Sequence, residues 1–136
     1  MGYHQDFTYG YLEIREELNM ENYNLYVNWE EYGKMIRTLI EKIKEEEVEY
    51  DGVYGVPSGG LPIATMVHQK LKIPLLMYPT KDTLIVDDIS DTGLTIYFLP
   101  HKKIATLFST PWTASKPDYY VDMKLNKDEW IVFPYE

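Results

Sequence analysis

The chain has 136 residues, 45% of them hydrophobic and 26% charged, which is the composition of one ordinary globular domain. Its formal net charge of −9 argues against a nucleic-acid backbone as the main partner, because binding one needs clustered Lys and Arg. With no cysteines, disulfides and thiolate sites are excluded. No apolar run approaches the ~20 residues of a membrane helix, and the N-terminus lacks a signal-peptide pattern. We therefore expect a cytoplasmic protein that contacts neither nucleic acid nor membrane.

Strand-like and helix-like segments alternate along most of the chain. Residues 1–23 are aromatic and acidic without a clear period, and we treat them as an N-terminal extension to a domain at residues 24–136. Apolar residues at three- and four-residue spacing predict an amphipathic helix over residues 29–47, with Asn28 as its N-cap. The other predicted helices are 62–72 and 95–99, and the predicted strands are 24–27, 50–56, 73–77, 83–86, 104–108, 119–121 and 130–133. This alternation predicts an α/β fold with a largely parallel sheet.

The most informative stretch is the run VDDISDTGLT at residues 86–95, where acids follow a buried strand. In parallel α/β sheets, ligands bind beyond the carboxyl ends of the strands, and we expect Asp87 and Asp88 at such an end. Gly93 allows a close approach of the backbone to a ligand, and the free N–H groups of the following helix favour an anion. The stretch therefore predicts a phosphate monoester site, beside acids that accept from sugar hydroxyls or face a hydrated Mg²⁺.

This run resembles the phosphoribosyl-pyrophosphate (PRPP) motif of the type I phosphoribosyltransferases. An earlier segment, VPSGGL at residues 56–61, is similar to the pyrophosphate loop of that family, and paired glycines let backbone N–H groups surround an anion. The tail at residues 108–136 is similar to that of the xanthine-guanine and archaeal-type purine enzymes. In those enzymes a Trp-Ile pair lies along the purine ring, and Trp130 and Ile131 occupy its place here.

The resemblance implies a mostly parallel sheet flanked by helices, with a shortened lid loop and a small C-terminal base-binding segment. It implies transfer of the phosphoribosyl group from PRPP to a purine, 6-oxopurine-like base with Mg²⁺, giving a nucleoside monophosphate and pyrophosphate, in a homo-oligomer. The implied residues are Asp91 as general base or orienting group; Asp87, Asp88, Asp91, Thr92, Gly93, Leu94 and Thr95 for PRPP and its 5′-phosphate; Ser58, Gly59 and Gly60 for pyrophosphate; Thr110, Trp130 and Ile131 for the base; and Asp87 and Asp88 for the metal, mostly through water.

Four departures from the family's pattern fall on the parts that perform the reaction. Ser58 stands where the family carries a Lys or Arg that neutralises the leaving pyrophosphate. Thr110 stands where relatives place a Lys that donates to the purine O6. Residues 78–82 are too few to form the mobile lid that excludes water during transfer. Pro100 cuts short the helix after Thr95, which leaves that side of the sheet thinly covered.

Two functions therefore stay open from the sequence. One is the enzyme, and the other is a catalytically weak or inactive module of the same fold that senses PRPP or a nucleotide. A third interpretation is a flavodoxin-like or receiver-like protein whose acids hold Mg²⁺. It does not explain the Trp130-Ile131 tail. Since Thr110 supplies no charged donor, we also expect weak discrimination between 6-oxo and 6-amino purines.

Overall fold

A computed structural model describes residues 24–136, so the predicted extension at residues 1–23 lies outside the described part. Strands and helices alternate through most of that part, and none of its helices is long and apolar enough to cross a membrane. In chain order the elements are β1 (Asn24–Tyr26), α1 (Trp29–Glu46), β2 (Val53–Gly55), α2 (Gly60–Leu71), β3 (Leu84–Ser90), α3 (Leu94–Tyr97), β4 (Lys103–Ser109), β5 (Tyr119–Met123) and β6 (Trp130–Val132).

The main sheet of the described residues has the order β2-β3-β4-β5, and all neighbouring strands are parallel. The strand predicted at residues 73–77 is reduced to one parallel bridge, from Leu75 to Val53 of β2. After β2 the chain passes to the bridge at Leu75, on the outer side of β2. After β3 it passes to β4, in the opposite direction across the sheet. The reversal of strand order lies between β2 and β3, where ligands bind in open α/β sheets. A separate parallel pair joins β1 to β6.

The two faces of the main sheet are covered unequally. The main core packs α1 and α2 against one face, and its fully buried members include Met35, Leu39, Val67, Leu84 and Leu107. Four buried residues make up the smaller cluster on the other face in residues 24–136: Val56, Ile85, Ile96 and Ile104. The short helix α3 ends at Tyr97, and the neighbouring Phe98 is 79% exposed. This agrees with the thin cover predicted from Pro100.

Helix α1 begins with a capping box at the predicted N-cap. The Asn28 side chain accepts from the Glu31 N–H at 2.8 Å, and the Glu31 carboxylate accepts from the Asn28 N–H at 2.9 Å. These bonds satisfy two of the N–H groups that a helix start leaves without intrahelical partners. They fix where the chain passes from β1 into the helix that covers the main core.

We expect Asn28→Ala to lower the free energy of unfolding by about 1 kcal/mol, because the alanine cannot accept from Glu31. Asn28→Ser keeps an acceptor at the N-cap and should lose only a small part of that. Urea unfolding of both variants measures the difference. Equal losses would show that the side-chain cap does not stabilise α1.

Candidate active site

The acid pair lies inside β3, not after it as the sequence indicated, because the strand continues to Ser90. Asp87 pairs in register with Thr106 of β4. Successive side chains of a strand point to opposite faces of the sheet. Asp87 and Asp88 therefore lie on different faces, and each contacts a different loop.

On one face, Asp87 and residues 89–96 line a pocket of about 140 Å³. Gly93 has a φ of +75°, and a Cβ there would lie 2.2 Å from the Thr113 hydroxyl oxygen. Its carbonyl accepts from the Ser115 hydroxyl at 2.6 Å, and the Thr92 carbonyl accepts from the Ala114 N–H at 2.8 Å. Residues 113–115 thus hold the loop on the side away from the pocket. Thr92, Leu94 and Thr95 are left exposed at the pocket.

The carboxyl of Asp87 titrates far from its ordinary range. Burial, and then the neighbouring charge of Asp88, raise the pKa of Asp87 to about 8. Ionising two adjacent carboxylates in a partly buried strand costs free energy unless a cation or hydroxyl donors lie beside them. The electrostatics therefore favour a ligand that brings positive charge or several donors to Asp87.

On the other face, Asp88 contacts the loop that follows β2. A Cβ on Gly59 would lie 2.1 Å from the Asp88 Oδ2 atom, so an alanine there would force the loop or the Asp88 side chain to shift. The Tyr135 hydroxyl donates to that same oxygen at 2.5 Å, and burial and this bond raise the pKa of Tyr135. Ser58 is exposed in the loop, and the Pro57–Ser58 peptide bond is cis. The glycine loop and the acid pair thus meet at the reversal of strand order.

Asp91 is held by three side chains of the C-terminal half, two of which contact its carboxylate. Its Oδ2 forms an ion pair with Lys124 Nζ at 2.8 Å, and its Oδ1 accepts from Trp112 Nε1 at 2.9 Å. The Asp91 backbone carbonyl accepts from the Thr110 hydroxyl at 2.7 Å. Asp91 is therefore oriented firmly, at the edge of the pocket that it lines.

The predicted base-binding residues fall into two environments. Trp130 is 61% exposed, and Lys124 Nζ lies 5.9 Å from the centroid of its ring. Ile131 is buried and pairs with Leu25 of β1, while Thr110 is buried with its hydroxyl already donating. A direct contact of Thr110 or Ile131 with a base stays a prediction.

Sequence reasoning missed Lys124 and Trp112, whose side chains both donate to the Asp91 carboxylate. Lys124 directly follows β5, a strand parallel to β4. Asp87 was singled out because ligands bind at the carboxyl ends of parallel strands. The same rule would also have found Lys124. A larger groove of about 670 Å³ between α1 and α2 is lined by none of the predicted site residues.

No family model matches the chain, but individual proteins do. A solved purine phosphoribosyltransferase from Pyrococcus horikoshii is 33% identical with a TM-score of 0.70, covering 83% of this chain and 94% of that one. A xanthine-guanine phosphoribosyltransferase from Idiomarina loihiensis is 29% identical over 85% of this chain and 88% of that protein. A transcriptional regulator from Methanocaldococcus jannaschii is 27% identical over 60% of this chain and 42% of that protein.

Its parallel sheet and the 33% identity to the Pyrococcus enzyme show that the chain belongs to the type I phosphoribosyltransferases, a family of glycosyltransferases. The predicted fold, a mostly parallel sheet flanked by helices, is confirmed. Within the family the chain is similar to the xanthine-guanine phosphoribosyltransferases, namely the Idiomarina protein and a second relative from Nitratidesulfovibrio vulgaris that is 25% identical over 81% of this chain and 83% of that protein. The flavodoxin-like alternative is excluded.

We expect Gly59→Ala to push the loop away from Asp88 and to lower the free energy of unfolding by about 1–3 kcal/mol through overpacking. Gly33→Ala in α1 is the matched control. Its Cβ would meet its nearest neighbour, an Arg37 guanidinium nitrogen, at 3.4 Å, so alanine should stabilise that helix by up to about 1 kcal/mol. Urea unfolding measures both, and a tolerated alanine at Gly59 would contradict the close packing.

The raised pKa of Asp87 makes stability depend on pH. The folded carboxyl keeps its proton to about pH 8, whereas the unfolded one loses it near 3.8, so the folded state binds more protons between these values. The free energy of unfolding therefore falls as pH rises through that window. Asp87→Asn removes this pH-dependent destabilisation, and at pH 8.5 it should melt at least ~3–6 °C above the unmodified protein, which is the shift that about 1 kcal/mol produces.

Asp128→Asn is the control for that experiment, because Asp128 is exposed. Thermal unfolding at pH 5 and pH 8.5 compares the three proteins. If Asp87→Asn gains no more than Asp128→Asn between these two conditions, the Asp87 carboxyl titrates in its ordinary range.

Proposed function

We propose that the chain transfers the phosphoribosyl group from PRPP to a purine base with Mg²⁺, releasing pyrophosphate. One observation carries the proposal: adjacent acids of β3 contact two anion-type loops on opposite faces of the strand. Asp87 lines the pocket of residues 89–96, and Asp88 contacts Gly59. PRPP has the matching chemistry, since its ribose carries a phosphate at one end and a diphosphate at the other.

The two loops have different tasks in this proposal. Backbone N–H groups and hydroxyls of Thr92, Gly93, Leu94 and Thr95 would hold the 5′-phosphate, because the first N–H groups of a helix have no intrahelical partner. Backbone groups of Ser58, Gly59 and Gly60 would contact the pyrophosphate. Asp87 and Asp88 would accept from the ribose hydroxyls. Binding of the 5′-phosphate by its loop would position the ribose beside both carboxylates.

The acid pair also fits a magnesium ion held jointly with the substrate. In residues 24–136 no group of three or more His, Asp or Glu side chains could hold a metal unaided. Mg²⁺ commonly uses one or two carboxylates together with substrate phosphates and water. Asp87, whose ionised form needs a neighbouring cation, would hold the ion mostly through water, with Asp88 beside it. When bound, the ion supplies charge neutralisation at the diphosphate.

Asp91 would take the proton that the base loses as its ring nitrogen bonds to the ribose. The hydrogen bonds from Trp112 and Lys124 orient its carboxylate at the pocket, and the exposed ring of Trp130 offers a flat surface for the base. Positioning of this kind lets a carboxylate act as general base in the transition state. A turnover assay with PRPP, Mg²⁺ and hypoxanthine, guanine, xanthine or adenine tests the proposal directly.

We expect Asp91→Asn to lower kcat by about 10²–10⁴-fold while the Kd for the product nucleotide changes less than about threefold. The carboxylate acts on the base only as the proton leaves, and asparagine keeps an acceptor for Trp112, although it loses the ion pair with Lys124. Steady-state kinetics and calorimetry measure the two quantities. Equal losses in kcat and binding would show that Asp91 only shapes the loop.

A weakly active or inactive sensor of PRPP or nucleotides is the second candidate, and a specific observation favours it. The segment before β3 is a tight turn, in which the hydroxyls of Thr80 and Thr83 both donate to Asp51. A turn tied in this way cannot close over a reacting ribose as a lid does. A transcriptional regulator is also among the relatives, and it is similar to 60% of this chain.

Calorimetry with PRPP and with GMP, run beside the turnover assay, separates the two candidates. Tight binding without turnover of any base supports the sensor, and turnover of one base supports the enzyme. Association into a homo-oligomer and a cytoplasmic location stay predictions, and light scattering tests the first. The exposed rings of Tyr97 and Phe98, on the thinly covered face, are the side chains that we propose such an assembly would cover.

A further inference from the structure

Tyr135 holds the carboxylate of Asp88, although it lies outside the residues that the family resemblance assigns to a substrate. Its hydroxyl donates to Asp88 Oδ2 at 2.5 Å, while Asp88 Oδ1 accepts from the Ile89 N–H at 2.7 Å. Each carboxylate oxygen is thus engaged by a donor of the chain itself. Hydrogen bonds to a carboxylate are short and strong, so these two set the direction of the Asp88 side chain.

The ring of Tyr135 is fixed by the aromatic residues around it. It stacks on Phe133, with the ring centroids 5.7 Å and the planes 4° apart, and its centroid lies 5.6 Å from that of Tyr32. Phe133 is buried and packs against Phe108 of β4. The Phe133 N–H donates to the Glu136 carboxylate at 2.8 Å, which closes the turn at residues 133–136. The core and this turn therefore fix the position of the hydroxyl.

The oxygen that Tyr135 holds is also the one that contacts the loop after β2. A Cβ on Gly59 would lie 2.1 Å from Asp88 Oδ2, so the carboxylate packs directly against the backbone of that loop. Within residues 24–136 the backbone N–H groups of Ser58 and Gly59 have no hydrogen-bond acceptor. Successive N–H groups of this kind form anion-binding concavities. The direction of the Asp88 carboxylate thus determines where these N–H groups lie.

We propose that Tyr135 is a positioning residue for the diphosphate end of the substrate. By fixing the Asp88 carboxylate, it holds the N–H groups of Ser58 and Gly59 where the diphosphate binds. This inference rests on the proposed function and adds the C-terminal turn to the support of that loop. Ser58 brings no charge to the loop, so binding there depends on backbone groups, which bind well only when they are held in place.

PRPP and ribose 5-phosphate are the matched probes, because they differ by the diphosphate. Calorimetry with Mg²⁺ gives the Kd of each for the full chain. We expect Tyr135→Phe to raise the Kd of PRPP about tenfold, because it loses a hydrogen bond to a carboxylate and keeps the stacked ring. The Kd of ribose 5-phosphate should change less than about threefold, because residues 113–115 hold the pocket of residues 89–96 without Tyr135.

Tyr119→Phe is the matched control for loss of stability. The Tyr119 hydroxyl donates to the Glu46 carboxylate at 2.7 Å, so this variant loses a hydrogen bond of the same kind. Glu46 is the last residue of α1, about 21 Å along the helix from Tyr32. Urea unfolding should show a loss of stability in both phenylalanine variants. In Tyr119→Phe the Kd of PRPP should stay within about twofold of the unmodified protein.

Tyr32→Phe is the control within the aromatic residues around Tyr135. Tyr32 is buried, and its hydroxyl has no hydrogen-bond partner in the described residues. Its removal should change the Kd of PRPP less than about twofold. A change as large as that in Tyr135→Phe would show that the polarity of this region, and not the bond to Asp88, acts on the loop.

The outcomes separate this inference from the proposed function. A protein that binds neither probe, or ribose 5-phosphate alone, overturns the proposed function and this inference with it. A protein that binds both, but whose Kd for PRPP is the same in Tyr135→Phe, overturns the role of Tyr135 alone. Equal weakening of both probes in Tyr135→Phe also overturns that role, since the variant then disturbs the whole site.

Discussion

The alternation of Asp87 and Asp88 across β3 is the constraint on which the rest of the site depends. Because one carboxylate faces each side of the strand, one contacts the pocket of residues 89–96 and the other contacts Gly59. A shift of the strand by one residue would exchange these partners. The close approach of Gly59 and the buried neighbours of β3 hold the register, so the core and the ligand site are specified together.

Charge balance explains why the C-terminal segments pack where they do. Three acids within five residues of one strand and loop repel one another, and burial makes the repulsion stronger. Two partners from the C-terminal half reduce the cost: Tyr135 donates to Asp88, and Lys124 pairs with Asp91. Among residues 24–136 Asp87 has no such cation, and it carries the raised pKa. The uncompensated carboxylate thus lies at the pocket, where a substrate with its metal would approach.

Local patterns predicted much of this arrangement, and non-local contacts account for what they missed. The Asn28 cap and the period of α1 are encoded within a few residues, and both were found. The run at residues 86–95 was recognised because turn glycines and hydroxyls act locally. The end of β3 was misplaced because acids seldom continue a buried strand, and here the parallel pairing with β4 overrides that preference. Lys124 is 33 residues from Asp91, and only the sheet order brings them together.

In the proposed function, holding the sugar phosphate and transferring it would depend on different parts of the molecule. The pocket of residues 89–96 and the acids belong to the centre of the sheet, where β3 is buried between β2 and β4. The lid segment is an edge turn tied to Asp51, and Ser58 adds no charge at the leaving group. Loss of a lid or a loop cation would therefore slow the proposed transfer without dismantling the binding site, because neither contributes to the core. This separation allows one fold to serve both an enzyme and a regulator, and both kinds of protein are similar to this chain.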